Sequence, residues 1–160
     1  MKKVGILSLL VIFIDQLVKI IISSNMKLYE SINIFNNINI TYVQNKGAAF
    51  SMLNGNVLLL IIISFIILYY LYLYILKEKK YENISILLIG GIISNLSDRI
   101  FRGYVIDFID IKIFNYNFPV FNIADICIVL GTIFLIIKIL KEKWYYDNKS
   151  RYKRCGYKIR

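Results

Sequence analysis

The chain contains no histidine, and that absence removes a large part of enzyme chemistry. Ser-His-Asp triads, HExxH zinc sites and most other transition-metal centres need an imidazole. Cysteine is nearly as scarce, with two residues. Cys127 sits inside an apolar run and Cys155 in a basic tail, a separation that offers neither a metal pair nor an obvious disulfide. Acids are few, 10 against 20 Lys and Arg, for a formal net charge of +10. Proline occurs once. No internal repeat or low-complexity linker divides the chain, so a single domain over residues 1–160 is expected.

What the chain has in excess is apolar side chains, 58% of its residues, against roughly 45–50% in soluble domains. That excess and the length of 160 residues point to a polytopic membrane protein, with room for about four spans of ~20 residues each. Four apolar segments stand out, at about Val4–Ile22, Val57–Leu76, Ile84–Ile100 and Pro119–Leu140. The start, "MKKVGILSLLVIFIDQLVKIIISSN", has the charged end and apolar run of a signal peptide. Asp15 and Lys19 interrupt the run and no A-x-A-like site follows, so it reads as a retained first span.

Basic residues sort the loops. Lys2 and Lys3 precede span one, "KEKKYE" with Lys77, Lys79 and Lys80 joins spans two and three, and residues 141–160 form a basic tail. By the positive-inside rule these lie in the cytoplasm, with both termini, and the tail marks that side rather than a nucleic-acid partner. In the first outer loop, "SINIFNNINITYV" alternates Ile32, Ile34, Ile38, Ile40 and Tyr42 with polar residues across Asn36-Asn37. Such alternation around residues tolerant of positive φ predicts a β-hairpin. The expected fold is therefore all-α and polytopic, four transmembrane helices with a small extracytoplasmic β-hairpin.

Ionisable residues within spans are costly and are functional-site hypotheses by default. Asp15 and Lys19 share a helix face four residues apart and read as an internal ion pair, each offsetting the other's desolvation. In "GGIISNLSDRI", Gly90 and Ser94, with Gly91 alongside, suit close helix packing in lipid. Asn95, Asp98 and Arg99 follow, the last two expected to neutralise charge and brace the site through hydrogen bonds. Asp107 falls just beyond span three, and Asp125 about six residues into span four, ~9 Å deep. Carried by neighbouring helices, the two are expected to meet in the outer half of the bilayer, though by spacing Asp110 competes with Asp107. Paired carboxylates in a low-dielectric pocket share a proton and can act together as acid and base. The plainer alternative is that each aspartate caps a helix or pairs with Arg102 or Lys112. Two other functions fit less well: a transporter or proton relay using Asp15, Lys19, Asp98 and Asp125, and a structural protein whose tail binds anionic lipid.

Taken in order, "DQLVK", "NKGAAF", "GGIISNLSDRIFRGYVIDF" and "FNIAD" resemble the lipoprotein signal peptidases, the bacterial signal peptidase II family. The resemblance spans nearly the whole chain. It implies an intramembrane aspartyl endopeptidase of the bacterial cytoplasmic membrane, without metal or cofactor, that cuts diacylglyceryl-modified prolipoproteins before the lipidated cysteine. It implies Asp107 and Asp125 as the catalytic pair, setting Asp110 aside. Asp15, Lys19, Asn45, Gly47, Asn95, Asp98, Arg99 and Asn122 become its supports, with Asn45 or Asn122 orienting substrate amides and Gly47, Ala48 and Ala49 leaving the approach uncrowded. It also implies an outer β-cradle, membrane lipid and prolipoprotein as partners, and block by a globomycin-type inhibitor; a monomer is expected, with no nucleic acid bound. Ser94 departs from the family's usual glycine and is expected to donate back to its own helix. The tail beyond Trp144 lies outside the shared motifs.

Overall fold

The computed structural model of the protein describes residues 2–47, 55–78, 81, 85–114 and 116–154. The expectations placed on Ala48–Phe50, on Lys79 and Lys80, and on the tail from Cys155 onward lie outside the described residues. Four helices and four strands follow in the order α1 (Lys2–Asn25), β1 (Ser31–Phe35), β2 (Ile38–Asn45), α2 (Val57–Lys77), α3 (Ser85–Arg102), β3 (Val105–Ile113), β4 (Tyr116–Asn117) and α4 (Ile123–Arg154).

The helices are built inside out relative to those of a soluble protein. On α1, Ser8, Asp15 and Lys19 are buried while Ile6, Leu9, Leu10, Phe13, Leu17 and Ile20 are exposed. Spacings of seven and four put the three polar residues on one face, and the rest of the surface is apolar as lipid requires. Among the described residues, α1, α2 and α4 are long and apolar enough to cross a membrane, over Ile6–Asn25, Val57–Lys77 and Ile123–Tyr146. The fourth expected span, α3, is shorter and more polar. Its Gly90, Gly91, Ser94, Asn95 and Asp98 are buried, and it touches α1, α2 and α4. Glycine is what permits that position: a Cβ on Gly91 would lie 2.5 Å from the Ala124 carbonyl oxygen, and one on Gly90 2.7 Å from Val11 Cβ. Bare backbone lets α3 approach both neighbours closely.

The hairpin expected across Asn36-Asn37 is present, β1 antiparallel to β2, with Asn36 at φ +34° in the turn. The expectation of an otherwise all-α chain is corrected, however. Residues 105–117 form two further strands, and the sheet runs β1-β2-β3-β4. Gly103, at φ +77°, ends α3 by donating its N–H to Arg99 O at 3.2 Å and turns the chain into β3, as a left-handed residue after a helix does. Ile109 to Ile113 alternates apolar and charged residues, a strand pattern that the apolar run around it conceals.

Helix α4 begins at Ile123 rather than Pro119, because Phe121 is bound to β3. Ile109 N–H donates to Phe121 O at 2.8 Å, and Phe121 N–H to Ile109 O at 3.0 Å. Beneath the sheet Met26, Tyr42, Ile106 and Phe108 form the buried apolar cluster, with Val18 and Ile22 of α1 and Ile123 of α4 against it. The sheet is thereby seated on the ends of α1 and α4.

Candidate active site

Lys19 organises the interior. Fully buried, its ammonium donates to Asp15 Oδ2 at 2.7 Å and Asp98 Oδ2 at 2.8 Å, and to Asn95 Oδ1 at 2.8 Å. An ammonium has three protons and no acceptor, so all are used. The Asp15–Lys19 pair inferred from helix spacing is present. The second cation on Asp98 is Arg102, four residues on, rather than the adjacent Arg99. Arg99 instead reaches Asn95 O at 3.5 Å and Gly47 O at 3.4 Å. Two acids and two bases leave this cluster neutral, the condition under which buried charges persist.

Three residues join the cluster without having been singled out for it. Gln16 Nε2 donates to Asp98 Oδ1 at 2.9 Å and to Ser94 Oγ at 3.0 Å, and its Oε1 accepts from Arg102 at 2.9 Å. Ser94 donates across to Asp15 Oδ2 at 2.6 Å, not to its own helix. A polar residue next to Asp15 in an apolar run was the available sign for Gln16; for Arg102 the sign was its place four residues after Asp98, the spacing that also joins Asp15 to Lys19.

From this base an amide chain leads to the two candidate acids. Because Lys19 can only donate, the Asn95 carbonyl must face it, which turns Asn95 Nδ2 toward Asp125 Oδ1 at 2.8 Å. Asn122 Nδ2 donates to Asp107 Oδ1 at 2.6 Å and to Asn95 Oδ1 at 3.2 Å. Asn122 N–H donates to Asp125 Oδ2 at 3.2 Å, and Asp125 N–H returns to Asn122 Oδ1 at 2.9 Å. Asn45 Nδ2 donates to Asp107 Oδ2 at 2.8 Å, and its Oδ1 accepts from Gly47 N–H at 2.9 Å. The amides of Asn45 and Asn122, expected to face substrate, are thus engaged by Asp107. Asp15 completes the frame: its Oδ1 accepts Ala124 N–H at 2.9 Å, one residue before Asp125.

The two acids are carried by a strand and a helix, which corrects the expectation of neighbouring helices. Asp107 lies on β3 opposite Val43, beside an irregularity where two β2 residues oppose one of β3. Bulges of this kind re-aim side chains next to functional sites. The tie between Phe121 and Ile109 sets the following residue, Asn122, beside Asp107. Asp110 lies farther along the sheet, accepting from Thr41 Oγ1 at 2.9 Å. Neither Asp107 nor Asp125 pairs with Arg102 or Lys112 among the ion pairs of the described residues; the helix-capping alternative does apply to Asp125.

Burial pushes the Asp107 carboxyl up to about 7, and the charge of Asp125 adds to the effect; Asn45, Asn122 and Lys19 oppose it. A carboxyl that exchanges its proton near neutrality, beside a second carboxyl, suits acid–base work.

A helical body with a polar interior, an apolar exterior and a sheet over one end defines a membrane protein with a buried acid site. Solved structures agree: two described as bacterial membrane enzymes are similar at TM-scores of 0.83 and 0.80, each 36% identical. The first covers 89% of this chain and 90% of its own, the second 88% and 94%. Residues 7–141 match the family described as signal peptidase (SPase) II. Lipoprotein signal peptidases of Staphylococcus haemolyticus and Haemophilus ducreyi are 39% and 43% identical to it, in each case over 86% of this chain and 90% of the relative. The chain belongs to the signal peptidase II family.

Proposed function

We propose that this protein is an intramembrane aspartyl endopeptidase that removes the signal peptide from diacylglyceryl-modified prolipoproteins, cutting before the lipidated cysteine. The carrying observation is that one asparagine, Asn122, bonds both Asp107 and Asp125. In this reading the two carboxyls hold a water between them. One takes a proton from it while the other polarises the scissile carbonyl. The chemistry calls for no metal or cofactor.

Four spans with both termini inside fit the helices. Helix α3, 18 residues long, extends ~27 Å at ~1.5 Å per residue, close to the ~30 Å of a hydrocarbon core. Asp125 is in the first turn of α4, whereas Lys138, Lys141 and Lys143 are toward its other end, and Lys77 closes α2. Basic residues at the end away from the acids favour a site on the outer face. The sheet then serves as the cradle over the scissile bond. The signal segment lies beside the helices with its acyl chains in lipid, a globomycin-type peptide is a competitor, and the enzyme works as a monomer in the bacterial cytoplasmic membrane. A transporter or relay is not favoured, because the charged groups gather around Lys19 instead of threading the membrane.

The test presents a lipid-modified precursor to the purified protein in detergent. Cleavage should survive a metal chelator, disappear in Asp107→Asn and in Asp125→Asn, and persist in Asp110→Asn. Full activity in either of the first two variants refutes the dyad.

A further inference from the structure

Each of the two acids receives two hydrogen-bond donors, but the donors differ in kind. Asp125 is the third residue of α4, and with Asn122 it forms a reciprocal capping box: Asn122 Oδ1 accepts Asp125 N–H at 2.9 Å, and Asp125 Oδ2 accepts Asn122 N–H at 3.2 Å. Side-chain and backbone donors satisfy each other in this motif, and the positive end of the helix dipole favours an anion there. The other oxygen of Asp125 meets Asn95 Nδ2, whose orientation Lys19 dictates. Asp107 sits on a strand, without a helix terminus, and its donors are two neutral side-chain amides, Asn45 and Asn122.

We propose that the proton shared by the two acids resides on Asp107, and that Asn122, by capping α4 together with the anionic carboxylate of Asp125, is the positioning residue that keeps it there. The proposal rests on the peptidase reading above and assigns the two roles within it. Asp125 takes a proton from water as the water oxygen bonds to the carbonyl carbon, and Asp107 gives its proton to the carbonyl oxygen, leaving a neutral gem-diol. Asp125 then passes its proton to the amide nitrogen as the C–N bond breaks. A gem-diol hydroxyl returns a proton to Asp107, giving a carboxylic acid and an amine.

The charged groups around Asp107 are Lys19 with Asp15 behind it on α1, Asp98 and Arg99 on α3, and Asp125 on α4. Strand β2 contributes the uncharged Asn45, while its Tyr42 packs with Ile106 and Phe108. Strand β4 pairs only with Lys112 and Ile113, at the far end of β3.

The experiment is the pH profile of precursor cleavage by the full-length protein. Asn122→Ser keeps an N-cap oxygen and removes the donor to Asp107; Asn45→Ala removes the other donor. With Asp107 as the acid, both variants should move the alkaline limb upward by roughly 1 pH unit, as loss of one bond to an ionised group implies, and leave the acid limb in place. Movement of the acid limb, or of neither, overturns the proposal. Infrared spectra decide it without catalysis and with two isosteric variants, should Asn122→Ser and Asn45→Ala fold poorly or the precursor not be cut. A protonated-carboxyl C=O band present below about pH 7 should vanish in Asp107→Asn and persist in Asp125→Asn; the reverse pattern overturns the assignment.

Discussion

Replacing Lys19 with methionine tests the largest structural claim. Methionine is near lysine in length and suits lipid, so little volume changes, yet one cation disappears from between Asp15 and Asp98, both fully buried. Gln16, Ser94, Ala124 N–H and Arg102 still satisfy part of the two carboxylates. What remains is one uncompensated negative charge in a low-dielectric interior. Removing one partner of a buried pair costs about 3–5 kcal/mol. In a chain of this size each kcal/mol moves the melting temperature by roughly 2–4 °C, so Lys19→Met should melt about 10 °C lower in detergent. The same reasoning demands a rescue: Asp15→Asn in the Lys19→Met background removes the excess charge and should recover a substantial part of the loss. Thermal unfolding followed by intrinsic fluorescence measures both. A Lys19→Met protein melting within 2 °C of the parent, or a double variant less stable than the single one, would show that the cluster is not held by charge compensation.

Two other predictions concern the site. Asp107 binds its proton more tightly in the fold, about 7, than in the unfolded chain, near 4. Between those values the folded state holds more protons, so the group's contribution to stability is present at low pH and is lost as pH rises through about 7. At about 1.4 kcal/mol per pH unit the loss has an upper limit of about 4 kcal/mol. Asp107→Asn should therefore melt above the parent at pH 8, and the gap should close toward pH 4; a pH-independent gap contradicts the burial argument. Gly91→Ala places a Cβ 2.5 Å from the Ala124 carbonyl oxygen, a backbone atom adjacent to Asp125. The variant should fold at a cost of about 1–3 kcal/mol while cleaving at least tenfold more slowly, and unchanged cleavage would mean that α4 can shift without moving its acid.

Helices α1, α2 and α4, the first hairpin and the pairing of Asp15 with Lys19 could be read directly from the residues. Each is written in short-range terms: an unbroken apolar run, a period of two around Asn36-Asn37, a spacing of four. The motifs also singled out the polar residues that surround the two acids. Tertiary structure alone decided how those residues are used. That Asp107 stands on a strand depends on pairing with β2, more than sixty residues earlier. Asp98 and Arg102 share the spacing of four, but only the packing of α3 against α1 brings Lys19 to the same carboxylate. Ser94 on α3 stays apart from Asp15 and Gln16 on α1 until Gly90 and Gly91 let α3 close on α1 and α4. Asn122 reads locally as a helix cap; only the Phe121–Ile109 link to β3 puts its amide on Asp107. Local propensity follows from neighbouring backbone sterics and side-chain burial. The choice among several acids and amides follows from which distant donor arrives, and that is settled only when the chain packs.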